Sequence, residues 1–254
     1  MVIYLPVDPD DLPRVRGVLD GSVEPVAPRP AVTVVLARDG ADGLEVLLLR
    51  RNPRLAFAPG FYVFPGGSVD PSDGIDVPWL GTPPAHPEFL VAGVRETFEE
   101  CGVLLAVDPD GRPVALDDDP AWESDRLALE SGSVSLSGML RRRGLGLDAS
   151  LLAPLAHWVT PISEKRRFDT HFLLAALPEG QEPRDIVGEA DFQVWMTPHD
   201  ALHGELPLMP PTRAMLRELS PETSTAEALA RPRTFPRIQP GVRLDGDRLE
   251  LLLP

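Results

Sequence analysis

The chain has 254 residues, and its 24 lysines and arginines against 39 aspartates and glutamates give a formal charge of -15. A surface this acidic repels phosphate backbones and anionic headgroups, so we exclude nucleic acid and membranes as partners. The single cysteine, Cys101, excludes an intrachain disulfide. Because no leader pattern and no long apolar segment is present, we expect a soluble cytoplasmic protein.

The first part of the chain alternates extended patterns with proline-rich connections. We interpret residues 1–30 as an extended segment. The apolar runs 31–37 and 44–51 flank the turn sequence RDGADG, which predicts a β-hairpin. The run 60–67 predicts a short strand that ends in a Gly-Gly turn, and the proline-rich residues 68–86 predict a loop.

Two helical regions follow. Proline suits the first position of a helix and glycine its end, so we predict a helix that begins near Pro87, runs to Cys101 and stops at Gly102. Residues 121–143 show a second helical pattern that is interrupted around Gly132.

The last hundred residues mix strands and helices. Their patterns predict strands at 155–161, 167–177 and 191–197, a helix capped by Thr197, helices near 210–219 and 224–230, and a hairpin around Asp245-Gly246. Strands and helices alternate irregularly with hairpins among them. This order predicts an α/β sandwich with a mixed sheet and argues against a doubly wound parallel sheet.

The helix at 88–101 has two different faces. Apolar residues at helical spacing share one arc, and Glu96, Glu99 and Glu100 share the opposite arc. Like-charge pairs on a helix cost about 0.2–0.5 kcal/mol each. One interpretation is an ordinary solvated face. The other is a site for a hard cation such as Mg²⁺ or Mn²⁺, which would turn this repulsion into attraction.

The context favours the cation site. Residues 95–103 read Arg-Glu-Thr-Phe-Glu-Glu-Cys-Gly-Val and resemble the second half of the Nudix box, with Thr97 at an apolar position. The 27 residues between Gly67 and Arg95 are about twice the spacing of the box. We therefore interpret Gly67 as the box glycine with an insertion behind it, and Glu88 as the replacement for a missing glutamate.

Two longer segments narrow the resemblance. Residues 47–67 are similar to the segment before the box in Nudix coenzyme A diphosphatases, and 157–174 are similar to the peroxisomal subgroup with an enlarged box. The resemblance implies one Nudix domain over 1–254, an α/β/α sandwich with a mixed sheet, a helical insertion and C-terminal helices. The additions would be an N-terminal segment (1–30), the box insertion (68–86), a helical insertion (119–150) and a C-terminal extension (205–254).

The resemblance also implies site residues. Glu96, Glu99, Glu100 and the carbonyl of Gly66 would hold Mg²⁺ or Mn²⁺, and Arg95 would orient the glutamates. A further acid is expected before a later strand, with Glu189 as first choice and Glu164 as second. The general base is either Glu99 or Glu189. The basic residues nearest these motifs are the candidates for substrate phosphates: Arg50, Arg51, Arg166 and Arg167. We interpret His171 as a packing residue.

The implied function is metal-dependent hydrolysis of a nucleoside diphosphate linked to another group. Coenzyme A or acyl-coenzyme A ranks first, with 3′,5′-ADP and (acyl-)4′-phosphopantetheine as products. ADP-ribose, dinucleotides and nucleotide sugars are the alternative substrates. A non-catalytic Nudix module that binds a nucleotide and regulates a partner is the alternative of another class. The expected partner is the small-molecule diphosphate, with a homodimer left open.

Overall fold

The computed structural model describes residues 2–54, 58–117, 119–184 and 190–252, with side chains from residue 7 onward. In chain order, the strands are β1 (Val2–Pro6), β2 (Arg29–Gly40), β3 (Gly43–Arg51), β4 (Tyr62–Val63), β5 (Gly66–Ser68), β6 (Ala153–Val159), β7 (Phe168–Ala176), β8 (Ala190–Met196), β9 (Arg237–Ile238), β10 (Gly241–Asp245) and β11 (Arg248–Leu252). The helices are α1 (Leu12–Asp20), α2 (Pro87–Cys101), α3 (Pro120–Glu130), α4 (Leu136–Arg143), α5 (Pro198–His203), α6 (Pro210–Leu219) and α7 (Thr225–Ala230).

A mixed sheet of eight strands forms the centre of the fold. Its order is β4-β3-β2-β7-β6-β9, with β5 also paired to β2 and β8 also paired to β3. The pairs β2–β7 and β6–β9 are parallel and the others are antiparallel. The predicted hairpin is confirmed, since β2 and β3 pair up to Gly40 and Gly43 at the turn.

Helices cover both faces of this sheet. Successive side chains of a strand point to opposite faces. Val34 and Leu36 of β2 join a core cluster with α2, α3 and α4, whereas Val35 and Ala37 join a second cluster with α5, α6 and α7. The predicted α/β/α sandwich with a mixed sheet is therefore confirmed.

The helix that carries the glutamates begins and ends where its sequence predicts. Pro87 opens α2, and Gly102 follows it with a left-handed φ of 71° and donates its N–H to the carbonyl of Phe98 at 2.9 Å. Glycine takes this conformation without the steric cost of a Cβ. α2 has 15 residues. Within the described ranges, no helix combines the length and apolar character that crossing a bilayer requires.

The other predicted helices and strands are also present. The pattern at 121–143 forms α3 and α4, separated around Gly132. The hydroxyl of Thr197 caps α5 by accepting the N–H of Asp200 at 3.1 Å. α6 and α7 follow, and β10 and β11 form the hairpin around Asp245-Gly246.

Two expectations need correction. Residues 1–30 are not simply extended, because they contain β1 and α1, and β1 pairs with β11 in a separate antiparallel sheet of order β1-β11-β10. β1 pairs with a strand from the other end of the chain, so no local sequence pattern predicts this pairing. The run 60–67 forms two short strands instead of one, β4 beside β3 and β5 beside β2, on either side of Pro65.

Candidate active site

The acidic face of α2 is not a solvated surface. Glu96 and Glu99 are each only 13% exposed at the side chain, and Glu100 is also partly buried. The opposite face lies in the core, where Phe98 is 1% exposed. Thr97 fits its apolar position because its hydroxyl donates to the carbonyl of Gly93, one turn earlier, at 2.7 Å. Half-burying clustered carboxylates is costly, so the fold must supply positive charge or hydrogen-bond donors there.

Arg95 supplies part of that charge. Its Nη1 donates to Glu96 Oε1 at 2.8 Å and to Glu99 Oε2 at 3.3 Å. Its Nη2 also donates to the backbone carbonyl of Ser68 at 2.9 Å, which ties α2 to β5. The arginine side chain is 14% exposed. These bonds hold Arg95 against Glu96 and Glu99, and its role in orienting them stays a prediction.

The sequence interpretation missed the acid that holds Arg95. The two carboxylate oxygens of Asp73 accept hydrogen bonds from Arg95, one from Nε at 3.1 Å and one from Nη2 at 2.9 Å. The side chain of Asp73 is 2% exposed. In the Nudix box, the first glutamate stands six positions after the glycine. The residue six positions after Gly67 is Asp73. Glu88, the expected replacement, instead lies 3.4 Å from the ring of His86. The insertion therefore begins after Asp73.

Strand β5 passes close to the acidic face. A Cβ atom on Gly67 would lie 2.4 Å from Glu96 Oε1, so any larger residue would displace this carboxylate. The N–H of Gly66 donates to Glu100 Oε2 at 3.0 Å. The donor set is composed of carboxylate oxygens, as Mg²⁺ and Mn²⁺ prefer, so these residues fit a hard cation. That the carbonyl of Gly66 is a ligand stays a prediction.

The environment of Glu99 favours its protonated form. Burial raises the pKa of Glu99 to about 7, the charge of Arg95 opposes this shift, and Glu96 and Asp73 reinforce it. A carboxylate with this pKa exchanges protons near neutral pH, as a general base must. It would also gain from a nearby cation, which would stabilise its charged form.

The free energy of unfolding of the metal-free protein should therefore depend on the protonation of Glu99. Its pKa is higher in the folded state than the ordinary value of 4.5, so the folded state holds the proton more tightly. The stabilisation is complete below pH about 4.5 and is lost as pH rises through about 7. In EDTA, we expect Glu99→Gln to gain on the order of 3 kcal/mol over wild type at pH 8 and little at pH 5, measured by urea unfolding. An equal difference at both pH values would contradict this assignment.

A cleft of about 460 Å³ opens beside these groups. Arg95 and Glu99 form part of its wall. The box segment before Asp73 and the α3–α4 region supply the rest: Ser68, Val69, Asp70, Ser72, Leu129, Glu130, Gly132, Val134 and Ser135. The box segment before Asp73 and the helical insertion thus meet at the acidic face. A ligand in this cleft would contact both of them.

The four predicted phosphate-binding arginines are dispersed. Among the described residues that line the cleft, Arg95 is the one arginine. Arg50 donates to both carboxylate oxygens of Asp191, at 2.7 and 3.1 Å. Arg51 follows Leu47 and Leu49 at alternate positions of β3, and those leucines belong to the core under α2. The pairing of β3 with β8 shifts register between Arg50 and Arg51, so Arg51 stands at the irregular end of this strand.

Arg167 is built into the fold. It is 6% exposed. Burial lowers the pKa of its guanidinium. It donates to the carbonyl of Val26 at 2.6 Å, to that of Thr160 at 3.1 Å and to the side chain of Gln239 at 3.2 Å. These bonds join three distant segments, which gives Arg167 a structural role and leaves it poorly placed for a substrate. Arg166 beside it is exposed.

Of the two candidates for the additional acid, Glu164 belongs to the part of the chain that the structure describes. Glu189 lies outside the described residues. Glu164 lines a different cavity, of about 230 Å³, together with Trp158 and Phe172 from the opposite face of the sheet. Burial raises the pKa of Glu164 there, against the charge of Arg14. Glu164 is thus separated from the cleft at Glu99, and Glu189 stays a prediction.

Known proteins of similar sequence and structure agree with the Nudix resemblance. No protein-family model matches the chain. A solved structure described as a Nudix hydrolase from Alicyclobacillus acidocaldarius matches with a TM-score of 0.73 and 34% identity, and the match covers 83% of this chain and 99% of that one. The chain belongs to the Nudix hydrolase family. The predicted Nudix resemblance is confirmed, and Glu96, Glu99 and Glu100 of this Nudix hydrolase occupy the glutamate positions of the box.

Two curated relatives carry names that agree with the narrower resemblance. An acyl-coenzyme A diphosphatase of Homo sapiens is 28% identical over 230 residues, which cover 71% of this Nudix hydrolase and 61% of the relative. A peroxisomal coenzyme A diphosphatase of Caenorhabditis elegans is 34% identical over 95 residues, or 37% of this chain and 36% of the relative. The chain spans about three fifths of the length of the first curated relatives.

Proposed function

We propose that this Nudix hydrolase cleaves a diphosphate linkage in a reaction that depends on a divalent cation. The observation that carries the proposal is the half-buried acidic face of α2, where Glu96 and Glu99 lie against Arg95 at the wall of a cleft. Mg²⁺ or Mn²⁺ is the proposed cation. When bound, such an ion neutralises phosphate oxygens and lowers the pKa of a coordinated water.

The residues of the chain have distinct proposed roles. Glu96, Glu99 and Glu100 hold the cation, and Arg95 fixes the first two while Asp73 fixes Arg95. Phosphoryl transfer needs mainly positioning and charge stabilisation, which this network provides. Either Glu99 or Glu189 takes the proton from the attacking water. The raised pKa of Glu99 in the metal-free protein supports the first choice.

Coenzyme A or an acyl-coenzyme A is the proposed substrate. The names of the relatives in Homo sapiens and Caenorhabditis elegans support it. Cleavage would give 3′,5′-ADP and 4′-phosphopantetheine or its acylated form. ADP-ribose, dinucleotides and nucleotide sugars are the alternatives. The cleft between residues 68–72 and the helical insertion would hold the part of the substrate that does not react.

Arg51 is the first candidate among the arginines for binding the 3′-phosphate, because it follows Leu47 and Leu49 of β3, which pack under α2. Arg166 is a second, exposed candidate. Arg50 would first have to release Asp191. A charged hydrogen bond to phosphate contributes roughly 1.5–3 kcal/mol, which is a preference of about 10- to 100-fold.

Turnover with three substrates tests the proposal. We expect magnesium-dependent cleavage of coenzyme A, with kcat/KM about 10- to 100-fold above that for dephospho-coenzyme A and ADP-ribose, measured by chromatography of the products. Arg51→Gln should reduce this preference. The matched control is Arg112→Gln, an arginine on a loop with a 73% exposed side chain. Equal turnover of the three substrates would leave a general nucleoside-diphosphate hydrolase, and no turnover would favour the non-catalytic regulator.

The cellular location and the partners of the protein stay predictions. We propose a cytoplasmic location, although the relative in Caenorhabditis elegans is named peroxisomal. The proposed partner is the small-molecule substrate, and a homodimer is left open. Size-exclusion chromatography with light scattering would determine the oligomeric state.

A further inference from the structure

Three metal-ligating side chains meet on the sheet at some distance from the glutamates. His157 of β6 and His171 of β7 are direct cross-strand partners, and Asp169 stands two positions before His171 on the same face of β7. Such neighbours on one face of an antiparallel pair lie within side-chain reach. Among the described residues, they are the one group of three or more His, Cys, Asp or Glu residues whose ligand atoms all lie within 4.8 Å of one another.

The surroundings hold these side chains in place. His171 stacks on Phe89 of α2, with ring centroids 3.8 Å apart and planes at 15°, which agrees with its predicted packing role. The rings of His157 and His171 lie 4.3 Å apart. Nε2 of His157 contacts Asp169 Oδ1, and Arg237 lies 3.6 Å from the other oxygen of Asp169. Arg237 is thus placed to orient the carboxylate from outside the group.

We propose that His157, Asp169 and His171 bind a transition-metal ion, with Zn²⁺ as the best match. Two imidazole nitrogens and one carboxylate are a donor set that Zn²⁺ accepts, whereas Mg²⁺ prefers oxygens only. The ion would replace the proton between His157 Nε2 and Asp169 Oδ1, and water would complete the coordination. The side chains of His157 and Asp169 are 20% and 29% exposed, so an ion can enter from solvent.

This site would be independent of the carboxylate site. Phe89, which contacts His171, is seven positions before Glu96 on α2 and eleven before Glu100. At 1.5 Å per residue, these separations along the helix axis are about 10 and 16 Å. Zinc here would join β6 and β7 at the first turn of α2, where it would stabilise the fold without replacing the catalytic cation.

Zinc titration in excess Mg²⁺ tests the proposal. Magnesium fills the all-oxygen site and leaves imidazoles free, so calorimetry should report one Zn²⁺ per chain. The chain offers a competing pair, His199 and His203 of α5, with ring centroids 4.1 Å apart. The titration therefore uses the variant His199→Asn/His203→Asn, and one equivalent should remain. Zinc should also raise the Tm of this variant in excess Mg²⁺.

Removing the ligands should abolish this binding. In the His199→Asn/His203→Asn background, we expect His157→Asn/His171→Asn to weaken zinc binding by more than roughly 10- to 100-fold, which is the cost of removing a residue that only contacts a ligand. Glu100→Gln should leave zinc binding unchanged. Unaltered binding in the double variant would overturn the proposal. If that variant does not fold, imidazole ¹⁵N NMR of the wild-type chain decides. Zinc must shift the His157 and His171 signals, and shifts confined to other histidines would refute the site.

Discussion

Glu100→Gln is expected to lower kcat by about two to four orders of magnitude at saturating Mg²⁺, because it removes one of the charges that hold the cation. The fold should tolerate the change. Glu100 Oε2 accepts the N–H of Gly66 at 3.0 Å, and the amide oxygen of glutamine can accept the same bond. Losing a like charge next to Glu96 and Glu99 should leave the metal-free protein equally or slightly more stable. Steady-state kinetics and urea unfolding measure both effects.

The matched control is Glu130→Gln. Glu130 lines the same cleft, but its side chain is 51% exposed and pairs with Arg126 on α3. Arg126 is 5% exposed and also donates to the backbone carbonyl of Glu99, but it keeps Glu123 as a partner and glutamine can still accept its hydrogen bond. We therefore expect kcat to change by no more than about twofold. Full activity in Glu100→Gln, or an equal loss in Glu130→Gln, would show that the carboxylates of α2 do not form the metal site.

Asp73→Ala is expected to have the largest effect on stability. It removes a 2% exposed carboxylate that binds Arg95 through both oxygens. Losing one partner of a buried ion pair costs about 3–5 kcal/mol. We expect a value near 3 kcal/mol, because Arg95 keeps Glu96 and Glu99 as partners. Urea unfolding in EDTA measures it. The Mg²⁺ concentration for half-maximal activity should also rise, since Arg95 would compete more strongly for the glutamates.

An aspartate inside the insertion provides the control. Asp76 has a 78% exposed side chain and lies 3.6 Å from Arg141 on the surface. Asp76 has a left-handed φ of 53°, which asparagine also tolerates, so Asp76→Asn should change stability by less than about 1 kcal/mol and leave the Mg²⁺ requirement as it was. If Asp73→Ala were as mild as Asp76→Asn, Asp73 would not be the residue that holds Arg95.

Local patterns in the sequence were enough to predict the helix and the strands that carry the site. Apolar residues at helical spacing predict the buried face of α2, and the same spacing places Glu96, Glu99 and Glu100 on the other face. Gly102 marks the end of the helix, and alternating apolar runs mark the strands of the central sheet. These signals succeed because each depends on the backbone preferences and burial of residues only a few positions apart.

Contacts between distant residues were decided by the tertiary structure. The pairing of β1 with β11 brings Val2 opposite Leu252, and neither end contains a signal for the other. Asp73 binds Arg95 across the insertion, although a count from Gly67 could have found it. Arg167 is similar in sequence context to Arg166, yet its guanidinium bonds three separate segments inside the protein. Long-range pairs depend on which segments meet after loops close, a property of the whole fold that neighbouring residues do not encode.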